Sequence, residues 1–320
     1  FAKIIKYNDL LYIFDNKSKT GKKIFAIDQS GEIRAILDKT GQGPGEYVSI
    51  TDFDIDKNRE LFYVVDQIKQ SILIYNRNFE YVGKLNPVDK FPFNLISYNE
   101  RSNHFVLGKG NSRFQPDFDY TILKMDYSGN IIGKYLPFDV VISEQFGGSM
   151  RMAEIGEYVD YLPSYSNSIY RIDGDSCYEL VQFQFSDPVL TYFDFKATRS
   201  TENVIFNQSF IESESFLIFN WMFNSEAFFT LVNKENNRVV TYDNIKDTTC
   251  HCGTSLRFIN FISKDEVVIE ANNLNIRHII SLLDPNGSCI DNAETLNSIS
   301  DPTDLNEQLL VVVKFNSHEN

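Results

Sequence analysis

Polar turns beginning at Asp28, Asn76, Asp126, Asp173 and Asn233 recur about every 50 residues along the chain. Each lies between short apolar runs rich in β-branched and aromatic residues. Asp and Asn suit such turns because their side chains accept hydrogen bonds from backbone N–H groups one or two residues on. A period in this range, with several short strands per repeat, is the pattern of propeller blades. In the first repeat the strand-like runs are Ala2 to Ile5, Leu10 to Phe14, Lys23 to Ile27 and Glu32 to Leu37. The second repeat places them at Ser49 to Ile55, Leu61 to Val65, Ser71 to Tyr75 and Glu80 to Leu85.

The next three repeats offer three clear strands each, with a fourth expected to feed them. They are His104 to Leu107, Tyr120 to Met125 and Asn130 to Tyr135; Tyr158 to Leu162, Ser168 to Ile172 and Cys177 to Phe185; and Phe216 to Trp221, Ala227 to Val232 and Arg238 to Tyr242. The last repeat has Ser255 to Ile262 and Glu266 to Ala271, with Gln308 to Phe315 as its third strand. Between them, Ile276, Ile279, Ile280 and Leu283 fall at i, i+3, i+4 and i+7, so 273–283 reads as a short helix rather than a strand. Residues 284–306 read as a polar insertion. The expectation is an all-β, six-bladed β-propeller with four-stranded blades, one domain over residues 1–320. Both termini would close the ring, the missing strand coming from upstream of Phe1, because closure removes free sheet edges.

Composition narrows the function. Lys and Arg number 30 against 44 Asp and Glu, a net charge of −14. That disfavours nucleic acid, where phosphate neutralisation supplies most of the affinity, and anionic membrane surfaces. No apolar run reaches the roughly 18 residues of a membrane-spanning helix. Four His leave little material for a histidine metal centre, and four Cys are too few for a disulfide-built fold.

The loop Gly41-Gln42-Gly43-Pro44-Gly45-Glu46-Tyr47 joins the first repeat to the second. Its glycines allow positive φ and close backbone approach while Pro44 fixes its own φ. Its spacing is not that of a P-loop. A structural turn is the primary reading, with anion binding by exposed N–H groups as the other.

The segment from Lys39 to Leu85 resembles an NHL-type propeller repeat. GQGPGEY followed by Asp56-x-x-x-x-Leu61-x-Tyr63-Val64-x-Asp66 resembles the six-bladed β-propeller lipoproteins of Bacteroides and its relatives. YLPSYSNSIYRID and the terminal LLVVVKF agree with this, so the resemblance covers essentially the whole chain. It implies the fold and an extracytoplasmic site, in the periplasm or on the cell surface, with a lipid anchor upstream of Phe1, and little chemistry. The chain departs from the family pattern at Cys250-His251-Cys252, where an acidic, glycine-containing loop is usual.

Cys250, His251 and Cys252 are candidate zinc or copper ligands, but they lack a second ligand pair; a disulfide with Cys289 or free thiols is the other reading. Asp52, Asp54 and Asp56 alternate, so their carboxylates share one strand face. That face either attracts an axial divalent cation or is simply solvated and turn-capping. Lactonase-like propellers suggest Glu46, Asp52, Asn94 and Glu154 as a metal set. Gly43, Gly45, Glu46, Tyr47, Arg151 and Tyr165 are the candidate ligand-binding residues. Arg151 and Glu154 are read as a loop on one face, forming a binding edge or a solvated pair. Tyr47, Phe91, Phe93, Phe114, Tyr161 and Tyr165 are candidate platforms for sugars. The leading expectation is a non-enzymatic binding or scaffolding module of the cell envelope with a protein or glycan ligand and no cofactor. The alternative is a lactonase, lyase or glycan-cleaving enzyme with an axial metal.

Overall fold

A computed structural model describes residues 3–16, 22–88, 91–109, 120–137, 151–163, 166–189, 202–224, 226–243, 257–272 and 308–314. It is all-β, with antiparallel sheets formed from strands consecutive in the chain. The first sheet is β1 (Lys3–Tyr7), β2 (Leu10–Asp15), β3 (Lys23–Asp28) and β4 (Ile33–Leu37). The second is β5 (Ile50–Asp56), β6 (Leu61–Asp66), β7 (Ser71–Asn76) and β8 (Tyr81–Leu85). The third is β9 (Leu95–Asn99), β10 (His104–Gly108), β11 (Tyr120–Asp126) and β12 (Ile131–Pro137). The fourth is β13 (Met152–Ile155), β14 (Tyr158–Tyr161), β15 (Ser168–Asp173) and β16 (Ser176–Gln182). The fifth is β17 (Ile205–Glu212), β18 (Phe216–Phe223), β19 (Glu226–Asn233) and β20 (Arg238–Asp243). A last sheet has three strands, β21 (Arg257–Phe261), β22 (Glu266–Asn272) and β23 (Gln308–Lys314).

The first strand of each sheet touches the first strand of the next, from β1 through β5, β9, β13 and β17 to β21, and β21 touches β1. These strands therefore surround a common axis, the arrangement of a propeller. Apolar cores fill the joints between sheets. Tyr12, Phe14 and Ile24 meet Phe53, Phe62 and Val64 at the first joint. Tyr63 and Ile72 meet Ile96, Tyr98 and Phe105 at the second. Middle strands such as β7 are buried along nearly their whole length, which explains their continuous apolar sequence Ser71-Ile-Leu-Ile-Tyr. Outer strands such as β8 are largely exposed.

The recurrent turns form as expected. Asp28 Oδ1 accepts the N–H groups of Ser30 and Glu32 at 2.9 and 3.0 Å. Asn76 does the same for Asn78 and Glu80, and Asp126 for Ser128 and Asn130. The left-handed position is Gly31 in the first turn and Gly129 in the third, but Phe79 in the second, at φ 58°. Phe79 tolerates it because its ring is buried against Phe62.

Two expectations need correction. The last sheet has three strands among the described residues, so four-stranded blades number five. The strand expected from upstream of Phe1 lies outside the described residues; within them β1 pairs with β2, and all four strands of the first sheet come from residues 3–37. Residues 152–155, read as part of a loop, form the innermost strand β13. The expected helix at 273–283 and the insertion at 284–306 lie outside the described residues.

Candidate functional site

The six innermost strands enclose two adjoining cavities on the axis. The narrower, about 40 Å³, is lined from each strand in turn by Lys3, Asp52, Leu95, Ala153, Ile211 and Asn260, with Arg151 beside them. The larger, about 150 Å³, is mostly polar and takes in Lys6, Asp54, Lys57, Ser97, Glu154 and Glu212. At roughly 30 Å³ per molecule this is space for a handful of waters or a ligand of a few heavy atoms.

The carboxylates of β5 are buried and committed. Asp52 Oδ2 accepts the Ile96 N–H at 2.9 Å, and Asp54 Oδ2 accepts the Tyr98 N–H at 2.7 Å. Their other oxygens accept the N–H groups of Phe53 and Ile55, both at 2.8 Å. The alternation of Asp and apolar residues thus puts side-chain acceptors opposite the backbone donors of β9, tying the second sheet to the third. Asp56 caps the turn at Arg59 and pairs with its guanidinium. The shared face is as expected, but at Asp52 and Asp54 it is a buried interblade joint rather than a solvated surface.

Lys3 pairs with Asp52 at 3.2 Å. Burial pushes the Asp52 carboxyl upward against the pull of Lys3. Burial lowers Lys3, but Asp52 and Asp54 outweigh it and its pKa is raised. The two shifts disagree about the pair. The close ammonium and two backbone donors favour the carboxylate, so the pair is ionised.

Two more carboxyls face the larger cavity. Glu154 is exposed to the cavity yet enclosed by strands. That enclosure, followed by the charge of Asp54, pushes its carboxyl up to about 8, against the opposing pull of Lys57 and Lys3. Glu212 is buried and contacts the Lys234 ammonium, with Arg171 4.0 Å away. Burial, then Asp160, hold Glu212 above the usual range. Behind it, Asp160 and Arg171 form a bidentate pair at 2.7 and 2.6 Å. Among the described residues, Glu212 Oε2 and Ser97 Oγ are buried without a hydrogen-bond partner.

The glycine loop lies apart from the axis. Its Gly43 N–H donates to Glu46 Oε2 at 2.7 Å, so that donor is taken by the loop itself. Tyr47 is buried; its hydroxyl donates to the Lys22 carbonyl at 2.8 Å and accepts the Lys39 N–H at 3.1 Å. Gly45 has φ 71°, and a Cβ there would lie 2.6 Å from the Tyr81 side chain. Tyr75 donates its hydroxyl proton to the Gly45 carbonyl at 3.0 Å. The loop is a buckle between the first two sheets.

Arg151 is fully buried, its guanidinium donating to the carbonyls of Leu162 and Pro163 at 3.4 and 3.2 Å. Of the suggested metal set, Glu46 sits in the buckle, while Asp52 and Glu154 line different cavities. Among the described residues no group of three or more His, Cys, Asp or Glu converges. Tyr47, Phe91, Phe93 and Tyr161 are buried and offer no ring face to a sugar. Phe114, Tyr165, Cys250, His251 and Cys252 lie outside the described residues. Sequence reasoning did not single out Lys3, Ser97 or Glu212. The available signal was charge or hydroxyl on the first strand of a repeat, and two of these strands were themselves missed.

The profile of a family described as "Domain of unknown function (DUF4934)" matches residues 1–287. The fold is similar to that of a Bacteroides fragilis NCTC 9343 protein described as exported (BF0058). The TM-score is 0.76 at 18% identity, covering 98% of this chain and 90% of that one. It is also similar to a member of the DUF4221 family from Bacteroides vulgatus ATCC 8482. There the TM-score is 0.59 at 12% identity, over 86% of this chain and 88% of that one. None of the curated proteins matches the sequence.

Proposed function

We propose, from the premise that the chain belongs to the DUF4934 family, that it is a binding module of the cell envelope whose ligand is a small polar molecule held on the propeller axis. The three-stranded last sheet serves as a sixth blade, since it occupies the place between the fifth sheet and the first. The observation that carries the reading is the polar cavity of about 150 Å³ on the axis, lined among others by Lys6, Asp54, Lys57, Ser97, Glu154 and Glu212. A concave site with convergent polar groups suits a small polar ligand. Likeness to an exported Bacteroides protein supports a place outside the cytoplasm. The commitment of Asp52 and Asp54 to backbone donors favours binding over catalysis at an axial metal.

The test is thermal-shift and calorimetric screening of small polar metabolites against the wild type and Ala153→Phe, which places a ring where both cavities are lined. Ligands that bind the wild type are expected to lose the folded variant. Undiminished binding to that variant would place the site elsewhere.

A further inference from the structure

The fourth and fifth blades meet across a buried cluster of charge. From the fourth come Asp160 on β14 and Arg171 on β15, joined by hydrogen bonds of 2.7 and 2.6 Å. The Arg171 guanidinium also covers the Tyr158 ring at 4.6 Å. From the fifth come Glu212, the last residue of β17, and Lys234 in the turn after β19. Lys234 is bound to Glu212 Oε1 and donates to the Ser213 carbonyl at 2.7 Å. Both carboxyl side chains are almost inaccessible to solvent. The charged groups on the surrounding elements are Glu154 on β13, Glu214 beside Ser213, and Glu235 and Lys264, which pair at 2.8 Å. Lys3 and Lys6 of β1 line the axis with Glu212 and are paired with Asp52 and Glu266.

Two carboxylates are both acceptors and cannot bond to one another. The carboxyls of Glu212 and Asp160 nevertheless lie within hydrogen-bonding reach across the joint. One proton turns that contact into a hydrogen bond. Arg171 occupies both oxygens of Asp160, and Lys234 occupies Oε1 of Glu212. Among the described residues Glu212 Oε2 is buried and receives no donor, so it is the oxygen left to carry the proton. Burial, then the charge of Asp160, favours the protonated form against the pull of Lys234. We infer that Glu212 and Asp160 share one buried proton across the joint between the fourth and fifth blades, and that loss of this proton loosens the joint. The proton goes to solvent, and two ionised carboxylates then face each other in an enclosed space, where repulsion is stronger than at the surface. β13 and β17 pack together and line the axis with Ala153 and Ile211, so the loosened joint is part of the axial wall.

The sign follows from a folded-state pKa above the unfolded one. The contribution of Glu212 is complete below about pH 4.5 and is lost as pH rises through about 7. The test is hydrogen exchange at the amides of β14 and β17 between pH 5 and pH 8, corrected for the intrinsic rate, together with carbon-detected NMR titration of both carboxyls. In the wild type, opening of the joint is expected to rise at least about tenfold over this range, with Glu212 titrating above the usual carboxylate range. Glu212→Gln, whose amide donates to Asp160 as the acid does, should abolish that rise. Asp160→Asn, which offers a donor in place of an acceptor, should lower the Glu212 pKa by at least about one pH unit. Glu154→Gln should leave the rise as it is, and melting temperatures confirm that each variant is folded.

A Glu212 carboxyl that titrates near pH 4.5 in the wild type would overturn the inference. So would exchange without a rise, a rise that survives Glu212→Gln or disappears in Glu154→Gln, or a Glu212 pKa unmoved by Asp160→Asn. None of these readouts needs a ligand, so the outcome is separate from that of the binding test.

Discussion

Replacing Asp54 by Ala removes an acceptor that joins two sheets and a charge that acts on the axial cavity. The carboxylate accepts the Tyr98 N–H at 2.7 Å and the Ile55 N–H at 2.8 Å, in a side chain that is 6% exposed. A hydrogen bond to a charged group contributes about 1.5–3 kcal/mol, and an orphaned buried donor costs about 1–3 kcal/mol. These overlap, since the orphaned amide is the other half of the lost bond, so the expected loss is about 2–4 kcal/mol. In a chain of this size that is a fall in Tm of roughly 3–8 °C. Asp54→Asn keeps an acceptor for Tyr98 and should lose only about 1 kcal/mol. Both variants remove the negative charge that helps raise Glu154, so both should lower its pKa from about 8. Denaturant unfolding gives the first quantity and carbon-detected NMR titration of Glu154 the second. Hydrogen exchange at the Tyr98 amide should accelerate in Asp54→Ala and not in Asp54→Asn. An Ala variant within about 0.5 kcal/mol of wild type would refute the interblade role of the carboxylate.

Three further outcomes follow from the same geometry. Gly45→Ala forces a Cβ into left-handed backbone and against Tyr81, and should cost more than about 2 kcal/mol in chemical denaturation. Arg171→Ala leaves the fully buried Asp160 carboxylate without its bidentate partner and should cost about 3–5 kcal/mol. The double change Asp160→Asn with Arg171→Met should recover much of that loss. Glu154 has a folded-state pKa raised above its unfolded value, so its contribution to stability is complete below about pH 4.5. That contribution is lost as pH rises through about 8. Unfolding curves between these limits should show the decline in the wild type and a flatter profile in Glu154→Gln.

The hairpin turns were legible because a single side chain closes each one. Asp28, Asn76 and Asp126 each bind two backbone donors within their own turn. β6 and β7 were legible because burial on both faces demands a continuous apolar run. The innermost strands β9 and β13 were not. They are five and four residues long, and Ser97 and Glu154 interrupt their apolar character because one side lines the polar axial cavity. The site followed the same rule. Asp52 and Asp54 announced a common face, but their partners are amides 44 residues away, set by packing between sheets rather than by spacing. Glu212 and Asn260 meet Lys3 at the axis although each lies more than 200 residues from it in the chain, beyond the reach of local pattern.

Among the described residues, the seam between the first and last sheets buries Ile4, Ile13 and Val268. The Asn260 amide donating to the Ile4 carbonyl at 2.7 Å and the Lys6–Glu266 pair span the same seam. A ring of sheets is closed only where its first and last members meet. Because Lys3 and Asn260 line both cavities from the two sides of that seam, its width sets the bore of the axis.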